Sequence, residues 1–159
     1  MALIEQSPTE RDAAVPSPVP GLAASSLMNH EVVPSSIAPP AANYAHAVVS
    51  EGPQRLLHTS GVVPIAADGT VAASIDEQAM VVWANIVAIV AEAGMSMDDV
   101  VSVTTYVVAD VLGALGALGA VMGTRDRALG GRRVASTLVT VPALARPEWL
   151  VEIAVVAAS

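Results

Sequence analysis

The sequence predicts an α+β domain: a mixed sheet with two helices packed on one face, in the order ββαβαββ. Three observations carry this expectation. The stretch from Ser74 to Gly94 repeats apolar residues at helical spacing and has a stop signal at each end. Val100 to Val108 is a β-branched run of the kind that favours a pleated surface. Strand-like runs come in pairs on either side of the helical stretches, so neighbouring strands and helical crossovers alternate.

Residues 1–40 hold seven of the eleven prolines, with many Ser and Ala. That composition breaks both periodicities, and this segment reads as an N-terminal arm, flexible or wrapped on the surface, ahead of a domain over residues 41–159. Its VPGLAASSLMNHEVV patch is apolar enough to dock on the domain or on a neighbouring subunit. Ala45 to Ser50 and Arg55 to Val63 then read as two strands joined by the EGPQ turn, and Ala67 to Thr70 as a second turn. His46 and His58 would face each other across that first hairpin.

In the first helix, Ser74 and Glu77 have capping-box spacing, and Asp76 with Glu77 places negative charge at the positive end of the helix dipole. Met80, Trp83, Ile86, Val87 and Val90 make one broad apolar face. Gly94 suits a left-handed C-terminal position, and the chain turns at Asp98 and Asp99. A second helix is expected through Val111, Leu112, Leu115, Leu118, Val121 and Met122. Its glycines at 113, 116 and 119 each cost about 1 kcal/mol relative to Ala, so packing has to hold it. Val134 to Val141 and Trp149 to Ala157 complete the set as strands, joined by the PALARP loop.

Composition narrows the function. The 159 residues are 53% hydrophobic and 14% charged, enough for one core. A net charge of −8 opposes a phosphate backbone, and with aromatics at 3% few rings remain to stack bases, so neither DNA nor RNA is the expected partner. Zero Cys removes disulfides, Cys-ligated zinc and Cys nucleophiles together, which fits the cytoplasm. Glu5, Glu10 and Asp12 stand where a signal peptide needs positive charge, and the apolar run from Val111 to Gly123 is well short of the roughly 20 residues of a membrane helix. No membrane partner is expected. His30, His46 and His58 lack metal-ligand spacing, so no metal is expected; GALGALG reads as apolar helix rather than a phosphate cradle.

Several segments together carry a resemblance: HTSGVVPIAADGTV, IDEQAMVVWANIVAIVAEAGMSMDDVVSVTTYVVAD, ASTLVTVPAL and VEIAVVA. Over roughly residues 35–158 the chain resembles the RidA/YjgF family of imine and enamine deaminases. The resemblance implies a chorismate-mutase-like fold, a homotrimer with clefts between subunits, a small-molecule substrate and no cofactor. It places the family's site Tyr on Tyr44, its Ser-Gly pair on Ser60 and Gly61, and its water-positioning Glu on Glu152. Leu118, Ala135 and Thr137 would line the same cleft.

The Gly-Pro that usually precedes the family's Tyr is Ala42-Asn43 here, and two site positions depart from the pattern as well. The family's Arg, which pairs with the substrate carboxylate, falls on Ala135, and its Asn falls on Leu118. A methyl group offers a carboxylate nothing, so the expected cleft is roomier and more apolar. Arg133, two residues earlier, is the candidate replacement cation, against the blander reading of GGRR as a solvated loop. Glu152 lies inside an apolar strand, where an ionised carboxylate needs a partner or a task. Two readings follow. One is a divergent cofactor-free enzyme that hydrolyses, cyclises or dehydrates an imine, enamine or related carbonyl compound, in specialised metabolism for example. The other is a catalytically silent trimer that binds a metabolite or a protein.

Overall fold

The structure, a computed structural model, describes residues 28–112 and 116–159. The part of the arm before Met28 therefore lies outside the described residues, as does Leu115 of the second helical stretch. The chain runs β1 (Met28–Val32), β2 (Ala47–Glu51), β3 (Leu56–His58), α1 (Ile75–Glu92), a 3-10 turn (Met97–Asp99), β4 (Val100–Val108), α2 (Ala109–Leu112), α3 (Ala117–Ala128), β5 (Ala135–Val141) and β6 (Val151–Ala158). Four strands form a mixed sheet in the order β3-β6-β4-β5, with β4 and β5 parallel and the other pairs antiparallel. The α+β expectation of helices on one face of a mixed sheet is met.

Local chemistry explains the elements that matched. Ser74 caps α1 through its Oγ, which accepts from the Glu77 N–H at 3.3 Å; the Glu77 carboxylate answers to the Ser74 hydroxyl rather than to its backbone. Gly94 takes φ 68°, the left-handed position that ends the helix. In the turn at Gly69, the Asp68 carboxylate accepts from both the N–H and the hydroxyl of Thr70, which holds its pKa below the usual Asp value.

Four expectations need correction. The hairpin between residues 45–50 and 55–63 does not form. Instead β2 pairs with β1, a strand that sequence patterning left inside the arm, while β3 pairs with β6. His46 and His58 accordingly do not face each other across a hairpin; His46 meets the Tyr44 ring edge-on, with 6.4 Å between centroids. The second helix is broken, because Gly116 adopts φ 111° as the cap of α3, a conformation costly for any residue with a Cβ.

The buried side of α1 is also rotated from the expected one. Trp83, Ile86 and Val90 are buried as expected, but Met80 and Val87 are exposed, and Gln78, Ala79 and Val82 take their places in the core. The cause is Gln78. Its side-chain amide donates to the carbonyls of Ala72 and Glu148 and accepts from the Leu150 N–H, all at 2.8 Å. A fully satisfied amide is cheap to bury, and this one staples α1 to the start of β6.

The core lies between the helices and one face of the sheet. Val103, Val107, Val151, Ile153 and Val155 meet Val82, Trp83, Ile86 and Val90 there. Side chains alternate across a strand, so Ser102, Thr104 and Tyr106 on β4 point to the opposite face, where no helix packs among the described residues. Residues paired with them share that face: Ala135, Thr137 and Val139 from β5, Val156, Ala154 and Glu152 from β6. The β1–β2 hairpin crosses the end where β6 finishes, with Asn29 Nδ2 donating to Ala158 O and Ala45 bridging to Ala135.

Candidate functional site

The candidate residues fall into two groups at opposite corners of the sheet. The first corner joins β6 to the segment after β3. Val62 and Ile153 exchange backbone hydrogen bonds at 2.8 and 3.1 Å, which draws Ser60 and Gly61 along the edge of β6. Glu152, half-buried, lies against Gly61 so closely that a Cβ on Gly61 would stand 2.9 Å from Glu152 Cγ and overlap the carboxylate. The close approach, and not the backbone conformation, is what glycine serves here, since Gly61 has no positive φ and a Cβ would displace the Glu152 side chain. Ser60 and Gly61 also open onto a mainly apolar groove of about 430 Å³ walled by Val62, Val63, Ile65, Asn85, Ala88 and Ile89. Gly61→Ala is expected to swing the carboxylate off its seat at a cost of about 0.5–1.5 kcal/mol. Thermal unfolding and a crystal structure of the variant would check both parts.

The second corner lies where β5 begins. Ala45 bridges to Ala135, and the Asn43–Tyr44 backbone is gripped by two guanidinium groups. Arg133 donates to Tyr44 O through Nε and Nη2 at 3.2 and 3.1 Å, and also stands 3.5 Å from the Glu31 carboxylate. Arg125 of α3, buried, donates to Asn43 O at 2.8 Å, to Ser136 Oγ at 3.1 Å and to the Asp126 carboxylate at 2.7 Å. The reading of GGRR as a solvated loop is corrected: Arg132 donates to Met97 O, and both arginines are half-buried. Ser136 pairs with Val103 and so faces the helices, which puts Arg125 on the side of the sheet away from Ala135. Neither guanidinium is left unengaged beside Ala135.

Register fixes how far apart the corners are. Ala135 pairs with Ser102, whereas Glu152 pairs with Tyr106. At about 3.3 Å per residue and about 4.8 Å per strand, the two positions stand about 16 Å apart. Thr137 lies between these levels on β5, and Leu118 stands exposed in the first turn of α3, in the helix layer. One small molecule cannot touch both corners of a single chain. A ligand that meets a Glu152 corner and an Ala135 corner together has to bridge two chains.

Sequence reasoning missed Arg125. The signal was present: four of the chain's seven cations fall between residues 125 and 133, beside a single acid, Asp126. Such crowding is costly unless carbonyls or carboxylates take up the donors.

A mixed sheet with helices on one face, and with Glu152 set on a glycine near the start of β6, defines a small α+β domain with two groups of candidate residues. Residues 35–159 match the family described as Endoribonuclease L-PSP, and the chain belongs to that family, which includes the Rid and YjgF proteins. A Rid-family protein from Yersinia pestis is 29% identical with a TM-score of 0.73, over 82% of this chain and 98% of that one. A YjgF-family protein from Neisseria meningitidis is 31% identical with a TM-score of 0.54, over 73% of this chain and 87% of that one. The fold is shared with Escherichia coli TdcF, whose structure holds bound serine, at 24% identity and a TM-score of 0.58, over 80% of this chain and 93% of that one. No curated protein matches the chain. Among the described residues, no helix is long and apolar enough to cross a membrane.

Proposed function

We propose that this protein is a cofactor-free hydrolase of a small imine or enamine that lacks a carboxylate, acting in a cleft between two copies of the chain in a trimer. The observation that carries this reading is the seat of Glu152 on Gly61 near the start of β6, together with a methyl group at Ala135 where the family resemblance places a cation. Glu152 takes a proton from water as the water oxygen attacks the C=N carbon, then returns it to nitrogen. The hydroxyl proton of the resulting carbinolamine then passes to nitrogen through Glu152 as the C–N bond breaks, so that ammonia leaves and a carbonyl remains. Ser60, the Gly61 N–H and Tyr44 from the neighbouring corner steady the charge that develops.

Ala135 supplies a methyl group where a 2-imino acid would need a fork of donors, and the arginines nearby are held by Tyr44 O, Asn43 O, Glu31 and Asp126. That loss also favours a second reading, a silent trimer that binds an apolar metabolite. Ammonia release from uncharged imines, measured beside release from 2-iminopropionate and 2-iminobutyrate, separates the two. The enzyme turns over the uncharged series faster; a binder releases ammonia from none.

Ala135→Arg supplies the complementary test. A charged hydrogen bond is worth about 1.5–3 kcal/mol. The variant should therefore shift preference toward 2-imino acids by about 10- to 100-fold in kcat/KM. An unchanged ratio would place the ligand somewhere other than the Ala135 corner.

A further inference from the structure

Hydrogen bonds hold both walls of the groove beside Ser60. Asn85 Nδ2 donates to Ile65 O at 2.9 Å, which ties the segment after β3 to helix α1. The backbone bonds between Val62 and Ile153 tie the other end of that segment to β6. Val62, Val63 and Ile65 on this segment and Ala88 and Ile89 on α1 enclose about 430 Å³, a volume in the range of small-ligand sites. Walls fixed in this way need little reordering when a ligand enters.

The chemistry of the lining is aliphatic. No charged residue and no aromatic ring borders the groove, and its polar side chains are Ser60 and Asn85, the second already donating to Ile65 O. Ala88 and Ile89 are exposed, Ile89 at 38%, and α1 carries no charge between Glu77 and Glu92. Such walls give a charged group nothing and gain free energy when hydrocarbon covers them. Gly61 borders both the groove and the Glu152 side chain, and it places no side chain of its own between them.

We propose that this groove seats the hydrocarbon chain of the substrate, an uncharged straight-chain aliphatic imine or its enamine, whose C=N carbon lies at Ser60 and Gly61 beside Glu152. This names the substrate class for the hydrolase reading of the same site and rests on that reading. Glu152 belongs to the open face of the sheet, whereas Ala88 and Ile89 belong to a helix on the other face. The ligand therefore turns at Gly61 from one face to the other. An alkyl chain makes that turn by changing staggered torsions, at little cost, and a rigid ring system cannot.

Straight-chain primary amides, uncharged and unreactive, probe the groove without the chemistry. In calorimetric titration of the full chain, affinity is expected to rise about two- to three-fold per methylene, or about 10- to 30-fold from propanamide to hexanamide, somewhat less than full burial of each methylene would give. Ala88→Trp, which fills the groove, should flatten the series, and Ile89→Glu gives the same readout if that variant fails to fold. Met80→Trp, elsewhere on α1, should leave the rise intact. A flat series in the wild type overturns the proposal, and so does a rise that both groove variants leave unmoved. Ammonia release from the matching imines, generated from primary amines by an amine oxidase, keeps the two readings apart. Release that is independent of chain length sinks the groove and spares the hydrolase. Amide affinity that rises with chain length, with no release from any imine, keeps the groove as the seat of a hydrocarbon chain and ends the hydrolase reading.

Discussion

Glu152→Gln is expected to lower turnover of an uncharged imine by about 10²- to 10⁴-fold, the usual contribution of a positioned general base, while KM stays within a few-fold. The substitution keeps volume and hydrogen-bonding reach, so the side chain should remain seated on Gly61. What it removes is the ability to accept the proton of the attacking water. Steady-state ammonia release gives kcat, and calorimetric titration of an unreactive amine analogue gives binding. Loss of affinity together with rate would mean that Glu152 holds the ligand rather than the water. An unchanged rate would end the hydrolase reading and leave the silent binder.

The second large effect concerns stability. Arg125→Met should destabilise the domain by about 2–4 kcal/mol, because the half-buried carbonyl of Asn43 and hydroxyl of Ser136 lose the charged donor of a buried side chain. Asp126, more exposed, can turn to water, which is why the figure stays below the full cost of a stranded buried charge. For a chain of this size the melting temperature should fall by on the order of 10 °C. Arg127→Met serves as the control: that side chain is exposed and, among the described residues, hydrogen-bonds only to Thr124, so its effect should stay within about 0.5 kcal/mol. Equal melting temperatures for the two variants would show that the clamp on Asn43 contributes nothing.

Patterning within a few residues was readable in the sequence, and partners far along the chain were not. Ser74, Gly94 and the Val-rich run of β4 announce themselves locally, and α1 and β4 lie where they say. Strand β1 is five residues, MNHEV, in a Pro- and Ser-rich setting. Only its pairing with β2 makes it a strand, and no local periodicity reports that pairing. The buried side of α1 was misjudged because an apolar count gives Gln78 no credit, although carbonyls of Ala72 and Glu148, six and seventy residues away, make it a core residue. At the site, the likeness in sequence brought Ser60, Gly61 and Glu152 to attention, and the structure sets these three at one corner. It sets Tyr44, Arg133 and Ala135 at the other, a division that depends on strand order and that no linear spacing reveals.

That division bears on how such a protein changes its ligand. If the Glu152 corner of one chain works with the Ala135 corner of another, the width of the cleft is set by the angle at which two sheets meet rather than by the side chains that line it. A substitution on the open face, at Val139 or Thr104 for instance, would then tilt one sheet against its neighbour and admit a different molecule with every site residue intact. Specificity would drift through surfaces that touch no ligand.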